Sequence, residues 1–206
     1  MPTTGQRFEA FLGNLLSSQK GNDKDLFSTQ PVFKDKEPTM NINCVLGPSG
    51  STMTKEYTQD GADNFPDLSW EPVPEAAGYV VVVEDPDAPL GMTPVHGLFY
   101  DIAPDNTAVK QSDLEAADTT KRTLKSGAYK YGKNIRTTMF GGPIYGGPRP
   151  VLNHGNHRYF YQVVALKRPM QNLSAIPSRA EVLKDLANDN ILAWGVWIGN
   201  YERKLE

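Results

Sequence analysis

The sequence predicts a mainly β domain with long loops. Its 206 residues include 16 prolines and 18 glycines, and these separate short apolar segments and do not form one low-complexity tract. Several of these segments are rich in β-branched and aromatic residues, which is typical of strands. The clearest strand candidates are Tyr79–Glu84, His96–Ile102, His157–Leu166 and Ile191–Tyr201. The length suits one domain with a large core.

The N-terminal segment predicts a short amphipathic helix over residues 6–16. Its apolar residues recur at spacings of three and four; they are Phe8, Phe11, Leu12, Leu15 and Leu16. The polar run 17–22 ends the helix. The helix would either pack on the body of the protein, which is the more ordinary arrangement, or form a detachable arm. We therefore expect residues 1–30 to be a helical extension and residues 31–206 to be a single domain.

The remaining elements follow from the same signals. Ser178 with Glu181 three residues later forms a capping box, which predicts a second helix. Residues 107–120 are charged and predict a surface turn or a helix. Further predictions, in chain order, are a first strand over 39–46, a possible continuation of its sheet over 53–58, a polar loop over 60–67 that leads to Leu68–Trp70, and a loop over 126–147.

Composition excludes several classes of protein. The formal charge is −3, and no segment concentrates lysine or arginine, which argues against a nucleic-acid partner or an anionic membrane surface. Cys44 is the single cysteine, so no intramolecular disulfide forms, and its apolar neighbours predict a buried, inert thiol in a strand. No apolar run approaches the roughly 20 residues of a membrane span, and no signal peptide is recognisable. We expect a cytoplasmic protein without integral membrane association.

Two carboxylates are the first candidate site residues. Asp85 and Asp87 directly follow the strand of residues 79–84 and alternate with prolines in the run Asp85-Pro86-Asp87-Ala88-Pro89. Because proline restricts the backbone, the strand end presents these acids in a defined direction. On their own they are compatible with catalysis, metal binding or a polar turn that caps the strand.

Two of the three histidines open predicted strands. His96 begins the strand of residues 96–102, and His157 begins that of residues 157–166. If these strands share a sheet with the one that ends before Asp85, two imidazoles converge on the aspartates. A histidine in this position is also common as a partly exposed polar residue.

A glycine-rich loop precedes His157. Tyr145-Gly146-Gly147-Pro148-Arg149-Pro150 pairs two glycines, which let the backbone approach a ligand and form anion-binding concavities, with prolines that stiffen the loop. An isolated segment of this kind would be a plain surface turn. Its closeness to His157 places it over the same strand end.

Together these segments resemble the phosphatidylethanolamine-binding protein (PEBP) family, over about residues 39–203. The resemblance rests on D-P-D-A-P at 85–89, His96, Y-G-G-P-x-P at 145–150 and H-R-Y at 157–159, in this order. It implies an antiparallel β-sandwich with a few peripheral helices. The form of the glycine loop and a final strand in place of a long helix are closer to the microbial branch.

The resemblance also implies a small anion pocket. Its residues would be Asp85, Asp87, His96 and His157, with Gly147 and Pro148 as one wall and Pro89 and Tyr145 near the rim. The ligands implied are phosphorylated head groups, nucleotides or small carboxylates, with no cofactor. The short stretch 90–95 lacks aromatic residues, so the anion site is a firmer expectation than a phospholipid head group. A histidine beside a carboxylate keeps its proton, so we expect anion affinity to weaken as pH rises past the histidine pKa.

Three functions remain open at this point. The expected one is a non-enzymatic anion or head-group binder that modulates or inhibits a partner kinase or serine-type peptidase, as the family implies. A hydrolase would need a nucleophile, yet the matched motifs contain neither serine nor cysteine. A metal enzyme could use His96, His157 and an aspartate, although these histidines lack the usual ligand spacing.

Overall fold

The computed structural model describes residues 1–89, 91–118, 123–135 and 144–206. Within them, the helices are α1 (Thr4–Leu16) and α2 (Arg179–Leu186). The strands are β1 (Ile42–Cys44), β2 (Leu68–Trp70), β3 (Gly78–Glu84), β4 (Val95–Ile102), β5 (Ala108–Val109), β6 (Ala116–Asp118), β7 (Thr123–Leu124), β8 (Lys130–Tyr131), β9 (His157–Leu166) and β10 (Ile191–Tyr201). The predicted mainly β fold with peripheral helices is confirmed.

The strands form two antiparallel sheets. The larger has the order β10-β9-β3-β4-β8-β7-β6, and the smaller has the order β1-β2-β5. Apolar side chains of both sheets meet in one core, in which Trp70 of the small sheet lies with Val81 and Tyr161 of the large one. This arrangement is the antiparallel sandwich that the resemblance implied.

Strand β3 is buried on both faces, which explains its run of four valines. Val81 and Val83 face the core between the sheets, whereas Val80 and Val82 pack with Phe27 and with α2. All seven residues of the strand are buried. A strand covered on both sides reads as a continuous apolar run, not as an alternating one.

Several local predictions are wrong. Residues 53–58 do not extend a sheet. An isolated β-bridge joins Thr52 to Asn200, and residues 55–57 then form a 3₁₀ turn. The 107–120 segment contains β5, β6 and a 3₁₀ turn, and the 126–147 segment contains β8 as well as loop. Residues 119–122 and 136–143 of these segments lie outside the described residues.

Cys44 lies in a strand, as expected, but is only half-buried. Burial is nevertheless the main cause that raises the pKa of its thiol to about 11, so the thiol stays protonated at neutral pH. An inert thiol is consistent with this protonation.

Helix α1 forms where the sequence predicts it, but its apolar stripe faces outward. Thr3 caps the helix through a capping box with Gln6. The side that packs on the protein is lined by small residues: Gly13 approaches so closely that a β-carbon there would lie 1.9 Å from the Leu152 carbonyl oxygen. Ala10 and Gly13 are buried, Leu12 and Leu16 are half-buried, and Phe8, Phe11 and Leu15 are each more than 60% exposed.

Residues after α1 run along the large sheet. The Phe27 amide donates to the Glu84 carboxylate at 2.7 Å, and its ring is fully buried. The division into residues 1–30 and 31–206 stays a prediction, and in this structure the first of these segments contacts the sheet.

Candidate functional site

Antiparallel pairing brings the predicted residues together. β3 pairs with both β4 and β9, so the carboxyl end of β3 lies beside the first residues of its two neighbours. Asp85 follows β3, His96 is the second residue of β4 and His157 is the first of β9. These three side chains line one cavity of about 240 Å³, together with Pro89 and Tyr159.

A chain of hydrogen bonds runs from this cavity to helix α1. Nδ1 of His157 lies 2.9 Å from Oδ2 of Asp85, and Nε2 of His157 lies 2.7 Å from Nδ1 of His154. Nε2 of His154 then lies 2.8 Å from the carbonyl oxygen of Leu16, in the last turn of α1. Asp85, His154 and His157 are all at most 3% exposed. We call these three side chains with the Leu16 carbonyl the histidine relay.

The relay fixes the number of protons on its histidines. A carbonyl only accepts, so Nε2 of His154 must carry a hydrogen, and an ionised Asp85 likewise requires a hydrogen on Nδ1 of His157. The contact between Nδ1 of His154 and Nε2 of His157 requires a third hydrogen, carried by one of these two nitrogen atoms. Three ring hydrogens are one more than two neutral imidazoles hold, so satisfying all three contacts with an ionised Asp85 gives the pair one positive charge. Burial opposes this charge, because it lowers the pKa of His154.

The His96 ring differs from the relay histidines in that it carries no charge. Its Nδ1 lies 2.6 Å from the Gly146 carbonyl oxygen and must donate to it. Burial lowers the pKa of this ring, and the nearby Asp85 charge only partly opposes that effect. His96 is therefore neutral at pH 7, with a lone pair on Nε2, which makes no hydrogen bond to any described residue.

Tyr159 contributes a polar group that sequence reasoning left out. Its side chain lines the cavity and is 1% exposed, and its ring meets the His96 ring edge-on at 5.2 Å between centroids. Its hydroxyl has no hydrogen bond of normal geometry within the described residues. Burial, followed by the charge of Asp85 and by an interaction of the hydroxyl with that carboxylate, raises the pKa of this phenol well above its ordinary value. A neutral, buried hydroxyl that has no hydrogen bond of normal geometry is a candidate ligand donor.

The sequence reasoning placed Asp87 beside the histidines, but in the structure it does not join them. It faces the other side of the strand end, where Arg158 donates to both of its oxygens at 2.8 Å. Burial alone would raise the pKa of Asp87, but the hydrogen bonds from Arg158 outweigh it and lower that pKa. Arg158 also binds Asp23, and the Gly21 amide donates to Asp87 at 3.0 Å. Asp87 thus fastens the N-terminal segment.

The glycine loop is also used differently. The Gly146 amide donates to the His96 carbonyl at 3.0 Å and the Gly147 amide donates to Asp63 at 2.7 Å, so neither offers a free donor. A β-carbon at Gly147 would lie 2.5 Å from the Asp63 carboxylate, because this backbone packs inward. The cavity wall is formed by the next residues, Arg149–Val151, in place of Gly147 and Pro148.

Tyr145 is not at the rim. It is 4% exposed, packs against Phe65 with ring centroids 5.0 Å apart, and shares a 2.7 Å hydrogen bond with the Tyr161 hydroxyl. Pro89, in contrast, does line the cavity as expected.

Sequence reasoning missed His154, Tyr159 and the Arg158 ion pair. His154 lies three residues before His157, and this spacing was visible but does not show that the two rings meet across a turn. Arg158 and Tyr159 stand in the H-R-Y motif, and the alternation of side chains along β9 separates them onto opposite faces.

The described residues contain no group of three His, Cys, Asp or Glu side chains arranged to hold a metal ion. In the same part of the chain, no helix has the length and hydropathy needed to cross a bilayer.

Comparison with known proteins agrees with this architecture. The family profile described as phosphatidylethanolamine-binding protein matches residues 47–202. Phomoidride biosynthesis cluster protein B of Talaromyces stipitatus is 38% identical over 201 residues, covering 94% of this chain and 80% of that protein. A UPF0098 protein of Aquifex aeolicus is 38% identical over 156 residues, covering 75% of this chain and 84% of its own.

A solved structure shows the same fold. The crystal structure of Escherichia coli YbcL, described as a new member of the mammalian PEBP family, has a TM-score of 0.64 and 25% identity. The match covers 79% of this chain and 98% of that one. With the profile match over most of the length and the identities above, the chain belongs to the phosphatidylethanolamine-binding protein family, on its microbial branch.

Proposed function

We propose that this protein is a non-enzymatic binder of small anions, including phosphorylated head groups, and that the cavity beside Asp85 is the binding site. The observation that carries the proposal is the buried Tyr159 hydroxyl, which makes no hydrogen bond of normal geometry to a described residue and belongs to a cavity that His96 also lines. Buried polar atoms in native proteins are normally hydrogen-bonded, so an unsatisfied hydroxyl at a cavity favours a ligand.

Charge at the cavity suits an anion. The relay as a whole is neutral, because the single positive charge of its histidines offsets Asp85. Arg149 also lines the cavity, and its side chain is half exposed at the mouth. The remaining walls are apolar and include Pro89, Pro94 and Val151. An acid group held at the polar end, with a small organic part against the prolines, matches this lining.

Binding requires a proton at His96. An anionic oxygen that approaches Nε2 of the neutral ring meets a lone pair, so a hydrogen bond forms only if the ligand supplies a proton or the ring takes one up. The ligand charge offsets the burial that lowers the pKa of His96. Anion affinity therefore falls as the pH rises, by at most about tenfold per pH unit for one linked proton. This sign agrees with the sequence-based hypothesis, but the titrating group is His96.

Catalysis is the weaker alternative. None of the described residues that line the cavity is a serine, threonine or cysteine. Both ring nitrogens of His157 are occupied within the relay, so it is not placed as a general base. We propose that the protein acts in the cytoplasm, as a modulator or inhibitor of a partner kinase or serine-type peptidase, a role suggested by its family.

Isothermal titration calorimetry with inorganic phosphate and O-phosphoethanolamine from about pH 5.5 to 8.5 tests the proposal. We expect affinity to fall with rising pH and the binding heat to depend on the buffer, because a proton is taken up. The variant His96→Gln should bind more weakly and with a smaller pH dependence. Absence of binding, or an affinity that is flat across the range, would overturn the proposal.

A second candidate ligand class follows from the relatives. The match to the phomoidride biosynthesis cluster protein extends over 94% of this chain, and so includes most of the N-terminal segment. Because that relative is named for a biosynthesis cluster, we propose a small organic acid of a biosynthetic pathway as the second candidate ligand of the cavity. Competition between inorganic phosphate and a small carboxylate such as succinate decides between the classes: tighter carboxylate binding favours the pathway role.

A further inference from the structure

Helix α1 is held on the protein by few contacts, and one of them leads to the cavity. Its three large exposed side chains point away from the protein, and only Ala10 and Gly13 are buried. Apart from this packing, the described polar attachments of the helix come from Glu9 and Leu16. The Glu9 carboxylate contacts Arg203 at 2.6 Å, Arg149 at 4.0 Å and the Leu152 amide, and the Leu16 carbonyl contacts His154. Such an element separates from the body at a low free-energy cost.

The relay is complete only when it carries its extra proton. Without that proton, its two histidines hold two ring hydrogens for three contacts. If the outer contacts to Asp85 and Leu16 are kept, two lone pairs face each other across the 2.7 Å between His154 and His157. This repulsion is relieved when His154 moves away, which breaks its bond to α1. Loss of one proton therefore weakens the attachment of the helix.

The surroundings of the relay determine how firmly it holds that proton. Asp85 and the carboxyl end of α1, where backbone carbonyls carry a partial negative charge, favour it. Burial is the largest cause that lowers the pKa of His154, and Lys20, whose Nζ lies 3.4 Å from the His154 carbonyl oxygen, lowers it further. His96 interacts with His157 and is neutral at pH 7. Asp87 faces His157 from the other side and favours its charge. The Tyr159 ring is stacked near His157 and is neutral at pH 7.

We propose that the His154–His157 pair is a one-proton latch that couples the cavity to α1, with His154 as its positioning residue. The proposal rests on the proposed function. An anion in the cavity lies beside His157 and stabilises the charge on the pair, so it holds the relay complete and α1 in place. Coupling of this kind is reciprocal: a docked α1 increases anion affinity by the factor by which the anion favours docking.

Hydrogen exchange and calorimetry on the full chain test the latch with inorganic phosphate as the probe. We expect phosphate to raise the protection of the last-turn amides of α1 at pH 7, after correction for intrinsic exchange rates. His154→Ala should lower that protection and weaken phosphate binding roughly fivefold or more. His154→Gln should restore both, because its amide donates to Leu16 and its oxygen accepts from His157. In the wild type, the ¹⁵N resonances of the imidazoles should show three ring hydrogens on the pair.

A variant outside the relay tests reciprocity. Gly13→Ala places a methyl group against the Leu152 carbonyl and should undock α1, so it should also weaken phosphate binding although it touches no cavity residue. Phe11→Ser alters an exposed side chain of the same helix and should leave affinity unchanged.

The outcomes separate the two proposals. If phosphate binds but α1 protection does not respond, and both His154→Ala and Gly13→Ala bind as the wild type does, the latch is wrong and anion binding stands. If calorimetry detects no binding of phosphate at any pH, the proposed function fails and the latch fails with it. Four ring hydrogens, or two, on the pair at pH 7 would also contradict the latch.

Discussion

Both carboxylate oxygens of Asp87 accept hydrogen bonds from the guanidinium group of Arg158, each at 2.8 Å. The two acids of the D-P-D segment thus have separate tasks. Asp85 belongs to the cavity and the relay, and Asp87 holds the N-terminal segment against β9. The Asp87 amide donates to Oδ1 of Asp85 at 2.8 Å, so the same turn aims both side chains.

Asp87→Asn should destabilise the fold. It breaks a charge-assisted, bidentate pair with Arg158, and we expect a loss of about 2 kcal/mol in the free energy of unfolding, measured by urea denaturation. Asp23→Asn removes the more exposed partner of the same arginine and should cost less than about 1 kcal/mol. Equal losses of stability in the two variants would contradict this account.

Tyr159→Phe should weaken phosphate binding at little cost in stability. The hydroxyl lacks a described partner in the free protein, so its removal frees the fold of an unsatisfied group but takes a donor from the ligand. We expect affinity to fall about tenfold, as for one lost hydrogen bond of roughly 1.4 kcal/mol. Tyr145→Phe is the matched control: it breaks the bond to Tyr161, should cost about 1 kcal/mol of stability, and should leave affinity unchanged. The reverse pattern would place the binding hydroxyl at Tyr145.

His96 should make stability depend on pH in one direction. Burial lowers its folded pKa below the ordinary value of 6.5, so the unfolded chain binds the proton more readily. The stability that the neutral His96 ring contributes is present above about pH 6.5, and it is lost as the pH falls through the lowered pKa of the folded state. We therefore expect the wild type to lose stability more steeply than His96→Gln as the pH falls below about 6.5, as measured by calorimetric melting. Parallel pH profiles of the two proteins would show that His96 is not the group involved.

Gly147→Ala should destabilise the protein through the glycine loop. The new methyl group would lie 2.5 Å from the Asp63 carboxylate and 2.9 Å from the Tyr57 carbonyl oxygen, and that backbone carbonyl cannot move cheaply. We expect a loss of about 1–3 kcal/mol in the free energy of unfolding. Gly5→Ala, in the first turn of α1 with only Thr3 nearby at 3.9 Å, is the control and should be neutral or slightly stabilising. A neutral Gly147→Ala would mean that the loop can shift outward.

The sandwich and half of the site could be read from the sequence because they depend on strand patterns. Runs of valine and aromatic residues predict β3, β4 and β9, and antiparallel pairing then brings Asp85, His96 and His157 to one end. The side on which each neighbouring residue points depends on the turn that follows the strand. For this reason Asp87 was assigned to the cavity and was found outside it.

Helix α1 shows a second limit of sequence reasoning. The spacing of Phe8, Phe11 and Leu15 correctly predicts a helix, but the usual inference that the apolar stripe is buried does not hold here. Gly13 allows a closer approach to Leu152 than any large side chain would, so the small-residue side packs on the protein. The periodicity of apolar residues does not show which of these two faces of the helix packs on the protein.

The position of β3 determines how this chain can reach its native state. The strand lies between β4, its neighbour in sequence, and β9, so that Val81 pairs with both Phe99 and Val163. The β3–β4 hairpin can form early, but the second pairing requires closure of a loop of about 80 residues before any of its burial is gained. We expect folding on the millisecond-to-second timescale of domains dominated by distant contacts, with an exposed valine edge on β3 until β9 arrives.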